Sequence, residues 1–446
     1  MARTWLWQVC LAALCHAPTA LRPGQLSGTS FRQMLDNHHD MSYVGNMTVG
    51  GQRLQGVYDS GSLELVVVSD KCKSWCGSEQ RMFHAAHSAT YQHGPMSVVL
   101  EYGSGEVLGK EAYETVSVGP LGSTEAPFWE VVDANMPLLQ QSGFGAIVGL
   151  GPIPADATVL RPHGAENNKS FALLMRKLGA DRYSVCLGRT PLSPGVLVWN
   201  DGLVESMPRA FTKVTTVEGG FWLTSLTDVR FGSTPVACFE PGSCGAILDS
   251  GTSLISTPED AFVSIGELVE QLSVDCDNIA ELPELHFKLD GIPHSLPPDS
   301  YIGRVRGNST DGVKSHFRTS GSAAPSCQTT LMKINMDSAA GAVWVLGMPF
   351  FRRYYSAFVQ ATTESRASVY TALAGPDCQP VQGISQALQR GTHGQQKRVE
   401  ARVVDASQVR MPSWLHRGAR SGRLEDGRIP RHPTDRGVLD VHAQPW

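Results

Sequence analysis

At 446 residues, with 41% hydrophobic and 18% charged side chains, the chain is long enough for two domains and has the composition of an ordinary globular protein. Its net charge of −5 excludes the basic face that nucleic-acid binding requires, and 45 glycines and 27 prolines point to many turns between strands. After residue 20 no apolar run approaches the roughly 18 residues of a spanning helix, so no transmembrane anchor is expected.

The first twenty residues, MARTWLWQVCLAALCHAPTA, place Arg3 before a short apolar run that ends in small residues. That order predicts a signal peptide over 1–20 and entry to the secretory pathway, either outward or to an acidic, lysosome-like compartment. Residues 21–40 then read as a short disordered leader, with the first strand at Met41. Cys10 and Cys15 leave with the signal peptide, and eight cysteines remain. In an oxidising lumen, Cys72 with Cys76 and Cys238 with Cys244 are spaced to staple short loops. The CKSWC run with His84 and His87 superficially resembles a zinc site, but the gap between cysteines and histidines is shorter than the usual dozen or so residues, so no metal is expected. Asn46, Asn168 and Asn308 begin sequons open to glycosylation in that lumen.

From 41 to 118, runs such as YVGNMTVGG, LELVVV and ETVSVG are broken by glycines, which is strand-and-turn punctuation with little helical periodicity. FALLMRKLG at 171–179 reads as a short helix capped by Gly179, and PEDAFVSIGELVEQL at 258–272 as a second helix with Pro258 in its first turn. Strand signals return in GGFWLTSLTDVRFG, LHFKLDG and AVWVLG, giving a mainly β protein with a few helices. Residues 376–446 differ: poor in apolar runs, they carry 11 Lys+Arg against 7 Asp+Glu, a net of +4, and read as a basic, disordered tail dispensable for activity.

The chain repeats one device. Asp59-Ser60-Gly61 ends an apolar run and is followed at 145–151 by GAIVGLG; Asp249-Ser250-Gly251 ends another and is followed at 343–349 by VWVLGMP. The two aspartates lie 190 residues apart, and Gly149 and Gly347 lie 198 apart. The glycines allow a tight turn and close approach of a ligand backbone, and Ser60 and Ser250 can bond neighbouring backbone and stiffen each loop. Ser62 and Thr252 put a hydroxyl within reach of each aspartate. If the halves pack about a pseudo-two-fold axis, the carboxylates meet and share a proton, one acting as base and the other as acid.

These segments, in this order from about 41 to 374, resemble the pepsin-like aspartic proteases. The resemblance implies a bilobal fold, with an N-terminal lobe at 41–203 carrying Asp59, a C-terminal lobe at 204–375 carrying Asp249, and a cleft between them. It implies peptide-bond hydrolysis at acidic pH, a polypeptide substrate in the cleft, no cofactor, and a monomer. LEYGSGEVLG resembles the flap hairpin, which makes Tyr102 the flap tyrosine with Gly103 and Ser104 at the tip. Ser60, Gly61, Ser62, Ser250, Gly251, Thr252 and Ser253 then line the two active-site loops. Three disulfides are implied, Cys72–Cys76, Cys238–Cys244 and Cys276–Cys327; Cys186 and Cys378 fall outside the pattern and either pair or leave Cys186 a buried thiol. Val66 stands where many members have a tryptophan that bonds the flap tyrosine, which predicts a looser flap.

Other chemistries fit less well. Neither Gly-x-Gly stretch opens a helix, which excludes a dinucleotide fold, and no G-x-S-x-G elbow occurs. A pepsin-like protein that binds peptides without cutting them is the alternative. The leader holds Arg22 and Arg32 but no lysine, too few cations to neutralise an acidic cleft, so no lock from that end is expected.

Overall fold

The computed structural model describes residues 28–78, 81–141, 143–153, 174–217, 220–271, 275–319, 321–362, 365–382, 400–412 and 420–421. The expected signal peptide and the Asn168 sequon lie outside the described residues.

In the first half, strands Ser42–Val49 and Gln52–Asp59 form a hairpin whose turn, Gly50-Gly51, takes φ of +56° and +75°. Positive φ at both turn positions matches the twist of the flanking strands, and glycine adopts it without steric cost. Three long antiparallel strands follow: Gln92–Tyr102, Gly105–Val118 and Leu121–Asn135. Then Ala146–Gly149 runs parallel to Gln52–Asp59, bringing Gly149 opposite Asp59, while Leu65–Val68 lies antiparallel on its other side. Ala146–Gly149 and Leu65–Val68 are buried at every position, the reason both read as unbroken apolar runs.

The second half repeats this plan. Cys244–Leu248 runs parallel to Gly341–Leu346, with Leu248 opposite Leu346, and Ile255–Thr257 lies antiparallel to that strand. A side chain at Gly149 would strike the backbone of Leu63 and Glu64, and one at Gly347 the carbonyls of Thr252 and Leu254. Each apolar-Gly strand thus passes directly beneath the opposite limb of its loop. The helix expected over 258–272 spans Glu259–Gln271; of the one expected over 171–179, Leu174–Lys177 is helical and Gly179 takes φ +69°. The expected lobe division at 203–204 falls inside the short helix Leu203–Ser206. Among the described residues no helix is long and apolar enough to cross a membrane.

The two halves are stitched by one continuous sheet, in which Tyr354–Val359 of the second half pairs with Arg182–Cys186 of the first. Here the leader departs from expectation. Residues 31–38 are not a disordered lead-in: Phe31–His38 pairs antiparallel with Gly195–Trp199 and then with Ser42–Val49. The alternation in FRQMLDNH turns Gln33 and Leu35 inward. Gln33 donates to the Tyr58 hydroxyl at 3.0 Å and accepts from the Trp199 indole at 3.0 Å, so its burial is satisfied.

The tail is the second correction. Its first residues are bound by a disulfide, Cys186–Cys378, that closes 192 residues of sequence and fixes Cys378 to the joining sheet. Cys72–Cys76, Cys238–Cys244 and Cys276–Cys327 are also bonded. Residues 400–412 return to the body and are largely buried, with Val404, Ala406, Val409 and Met411 packed against Leu223, Ile247, Leu254 and Val305. A few apolar residues in a basic stretch suffice when the groove that receives them is already built.

Replacing Cys186 and Cys378 by serine is expected to lower unfolding stability by about 2–5 kcal/mol, as for other long-loop disulfides. Denaturant titration checks this, and an unchanged midpoint would contradict it.

Candidate active site

Asp59 ends its strand and Asp249 follows its own by one residue; neither side chain reaches the surface, at 0% and 1% exposure. What brings them together is a reciprocal exchange between the loops. Ser60 Oγ donates to the Leu248 carbonyl at 2.9 Å and accepts from the Ser250 N–H at 2.8 Å. Ser250 Oγ donates to the Tyr58 carbonyl at 2.8 Å and accepts from the Ser60 N–H at 3.0 Å. These serines were expected to stiffen their own loops; they tie each loop to the other.

Glycine is required where the loops meet. A Cβ on Gly61 would sit 2.5 Å from Asp249 Cγ, and one on Gly251 would fall on the Asp59 carboxylate. Each carboxylate therefore lies against the opposite loop's glycine. Asp59 Oδ1 accepts from the Gly61 N–H at 2.9 Å and Asp249 Oδ1 from the Gly251 N–H at 2.8 Å. Here the symmetry ends. Thr252 donates to Asp249 Oδ2 at 2.8 Å, whereas Ser62, expected to play the same part for Asp59, has a buried hydroxyl with no hydrogen-bond partner among the described residues, and there Asp59 Oδ2 also has none. Burial, and then the charge of Asp59, push the Asp249 carboxyl well above the usual carboxylate range; Thr252 and the Gly251 N–H pull it partly back.

Beneath the loops is an aromatic floor. Tyr183 stacks on Phe358 at 4.8 Å, and Trp222 lies against the same ring at 4.9 Å. The Tyr183 hydroxyl (2.7 Å) and the Trp222 indole (3.0 Å) both donate to the Leu150 carbonyl, while the Leu150 N–H donates to the Asp59 carbonyl at 2.8 Å.

Above, Tyr102 closes the hairpin of Gln92–Tyr102 and Gly105–Val118, pairing with Gly105. Val66 is buried opposite Trp129, in the apolar cluster against which Tyr102 packs. The tip at Gly103 and Ser104 is buried because the tail holds it: the Gly103 N–H donates to the Pro412 carbonyl at 3.1 Å, and Ser104 Oγ accepts from the Met411 N–H at 3.1 Å. The looser flap expected from Val66 is thus offset by contacts from the far end of the chain. Asn46 and Asn308 are exposed, as a glycan requires.

Arg410 was missed by sequence reasoning. Its guanidinium lies over the Phe144 ring at 5.2 Å, and its side chain, only 5% exposed, feels Asp59, Asp249 and Tyr102. Burial lowers its pKa and those groups raise it again. The local signal was RVVD at 402–405, a short β-prone run; nothing local marked the arginine five residues later.

Residues 42–368 match the family described as Eukaryotic aspartyl protease. Among curated proteins, Pepsin A of Canis lupus familiaris is 28% identical over 341 residues, covering 74% of this chain and 82% of that one. Pepsin A of Callithrix jacchus is 26% identical over 350 residues (76% and 84%), and a pregnancy-associated glycoprotein of Equus caballus is 26% identical over 350 (74% and 82%). With two buried Asp-Ser-Gly loops facing one another over a two-fold β framework, and the match running through both, the chain belongs to the eukaryotic aspartyl protease family.

Proposed function

We propose that the protein is an aspartic endopeptidase acting in an acidic compartment of the secretory pathway, with Asp59 and Asp249 as its catalytic pair. The observation that carries this reading is the mutual burial of two carboxylates, each against the other loop's glycine. Two such groups cannot both ionise cheaply, so one proton is retained between them. Asp59 Oδ2, buried with no donor among the described residues, is where that proton finds an acceptor.

The chemistry follows. The ionised carboxylate removes a proton from water as the oxygen attacks the substrate carbonyl, and the protonated one gives its proton to the carbonyl oxygen. A neutral diol forms, and its collapse expels the amine, which takes a proton from the pair. No covalent enzyme intermediate is needed. Tyr102, with the hairpin tip, covers the substrate and excludes water. Because the Asp249 carboxyl is raised, the protonated partner is present in acid and is lost as pH rises through its raised pKa, so activity falls on the alkaline side. The unpartnered Ser62 hydroxyl favours a second reading, a peptide-binding protein with weak turnover.

Three outcomes are expected. Asp59→Asn and Asp249→Asn each lower kcat in acid by about 10²–10⁴-fold while the protein stays folded, and a peptide mimic with a central hydroxyl binds tightly. Full turnover in either variant would refute the assignment, while tight binding with no turnover in the parent would favour the binding protein. Ser60→Ala and Ser250→Ala each strand a buried N–H, costing about 1–3 kcal/mol, and the double variant departs from additivity because both belong to one network. Additive losses in denaturation would show that the loops are held some other way. Gly251→Ala drives a methyl onto the Asp59 carboxylate and abolishes turnover; retained turnover would show that the loops can separate.

A further inference from the structure

Residues 401–412 follow the cleft from rim to flap. At one end Arg402 makes a buried ion pair with Asp40 of the leader turn at 2.7 Å, the side chains being 5% and 3% exposed. Arg402 also donates to the Arg189 carbonyl, and Arg352 donates to the Asp40 carbonyl at 2.7 Å. Val403–Asp405 then adds as a parallel strand beside Ile302–Arg306, and Arg306 meets Asp405 at 3.3 Å. Adding a strand to a sheet edge is a common way for a protein to hold an extended peptide. After a single turn at Ala406–Gln408, Arg410 is clamped by the second active-site loop: its N–H donates to Ser253 Oγ at 2.9 Å and its carbonyl accepts from the Ser253 N–H at 3.1 Å. The flap tip holds the next two residues from above.

We propose that this segment is an intrachain ligand of the substrate cleft, a strap that keeps the protein latent at neutral pH and is released in acid. This rests on the endopeptidase reading of the same site. The main chain lies between the Asp249 loop and the flap, where a substrate would have to lie. Its main chain is bound to the second active-site loop through Arg410, whose buried guanidinium lies within the field of the carboxylates, so it occupies the cleft without being a substrate. The buried cation that faces the carboxylates comes from the tail, not from Arg22 or Arg32 of the leader.

The pH direction follows from linkage. The charged and titratable groups facing Arg410 are Asp59, Asp249 and Tyr102. A guanidinium favours ionised carboxylates, so the pair binds fewer protons with the strap in place than with it gone. Falling pH therefore favours release. Once the pair is protonated, the buried cation has lost its counter-charge, and its Nη1 has no hydrogen-bond acceptor among the described residues.

The test compares full-length protein, purified at neutral pH, with Arg410→Glu and Arg410→Met. Initial rates on an internally quenched peptide are read from neutral to about pH 4, below most unperturbed histidines. Binding of a fluorescent ARVVDASQVRMP peptide, residues 401–412, is measured on the same samples. The parent is expected to be slow near neutrality and to accelerate after a lag on acidification. Arg410→Glu places a carboxylate against the pair and should be faster than the parent near neutrality by roughly tenfold or more, a change of about 1.4 kcal/mol in strap occupancy. It should also bind the free peptide, which competes with substrate. Arg410→Met keeps the bulk and removes the charge, so it should stay slow in acid, and it serves as well if the glutamate variant does not fold. Equal rates for parent and variants at every pH, with no peptide binding, would overturn the proposal. Peptide binding without turnover in any variant would leave the strap standing and sink the endopeptidase reading.

Discussion

Ser60 and Ser250 each give a hydroxyl hydrogen to a carbonyl beside the opposite aspartate and take an N–H in return, and the site is built around that exchange. All four groups are buried, so each bond broken would leave a desolvated donor or acceptor without a partner. The loops are therefore held at one separation, too close for any side chain at Gly61 or Gly251. The raised Asp249 carboxyl is a consequence: it is driven by burial, and by a second carboxylate that has nowhere to retreat. Framework and chemistry are one constraint, because the parallel ladders that set Asp59 opposite Gly149 and Leu248 opposite Leu346 deliver the two loops to the same point.

A framework this rigid then has to accommodate several buried charges. Two groups of them lie along the cleft, Asp59 and Asp249 with Arg410 at the centre, and Asp40 with Arg402 at the rim. Charges removed from water are tolerated only with partners close by, which makes each group sensitive to the loss of any member. The two groups are connected through the chain ends. The turn after Phe31–His38 supplies Asp40 and the Met41 carbonyl, the latter accepting from Ser253 Oγ at 2.7 Å, while the tail supplies Arg402 and Arg410. Ser253 thus ties the second active-site loop to Met41 and to the tail at once. Segments before and after the two lobes are part of the cleft's wall.

The β class, the paired Asp-Ser-Gly loops, the flap hairpin and the close-spaced cysteines were legible in the sequence, since each is written locally. Fully buried strands show as unbroken apolar runs, turns show as glycines, and a repeated motif declares itself by repetition. Phe31–His38 was missed because a strand whose inward positions include Gln33 lacks the apolar alternation, and Gln33 is satisfied by Tyr58, Asn46 and Trp199, up to 166 residues away. Residues 400–412 were missed because their apolar content is too small to form a core of their own; they complete one made by other residues. The sequence by itself determined what each carboxylate loop looks like and that there are two. Only the tertiary structure decided that Thr252 supports its aspartate while Ser62 does not, that Cys186 pairs with Cys378, and that an arginine from the tail is buried within the field of the pair. The disulfide and the arginine join residues far apart in sequence, and even the local difference between Thr252 and Ser62 is set by how the loops are packed, since buried charges and hydrogen bonds are strong only where burial has already brought their partners together.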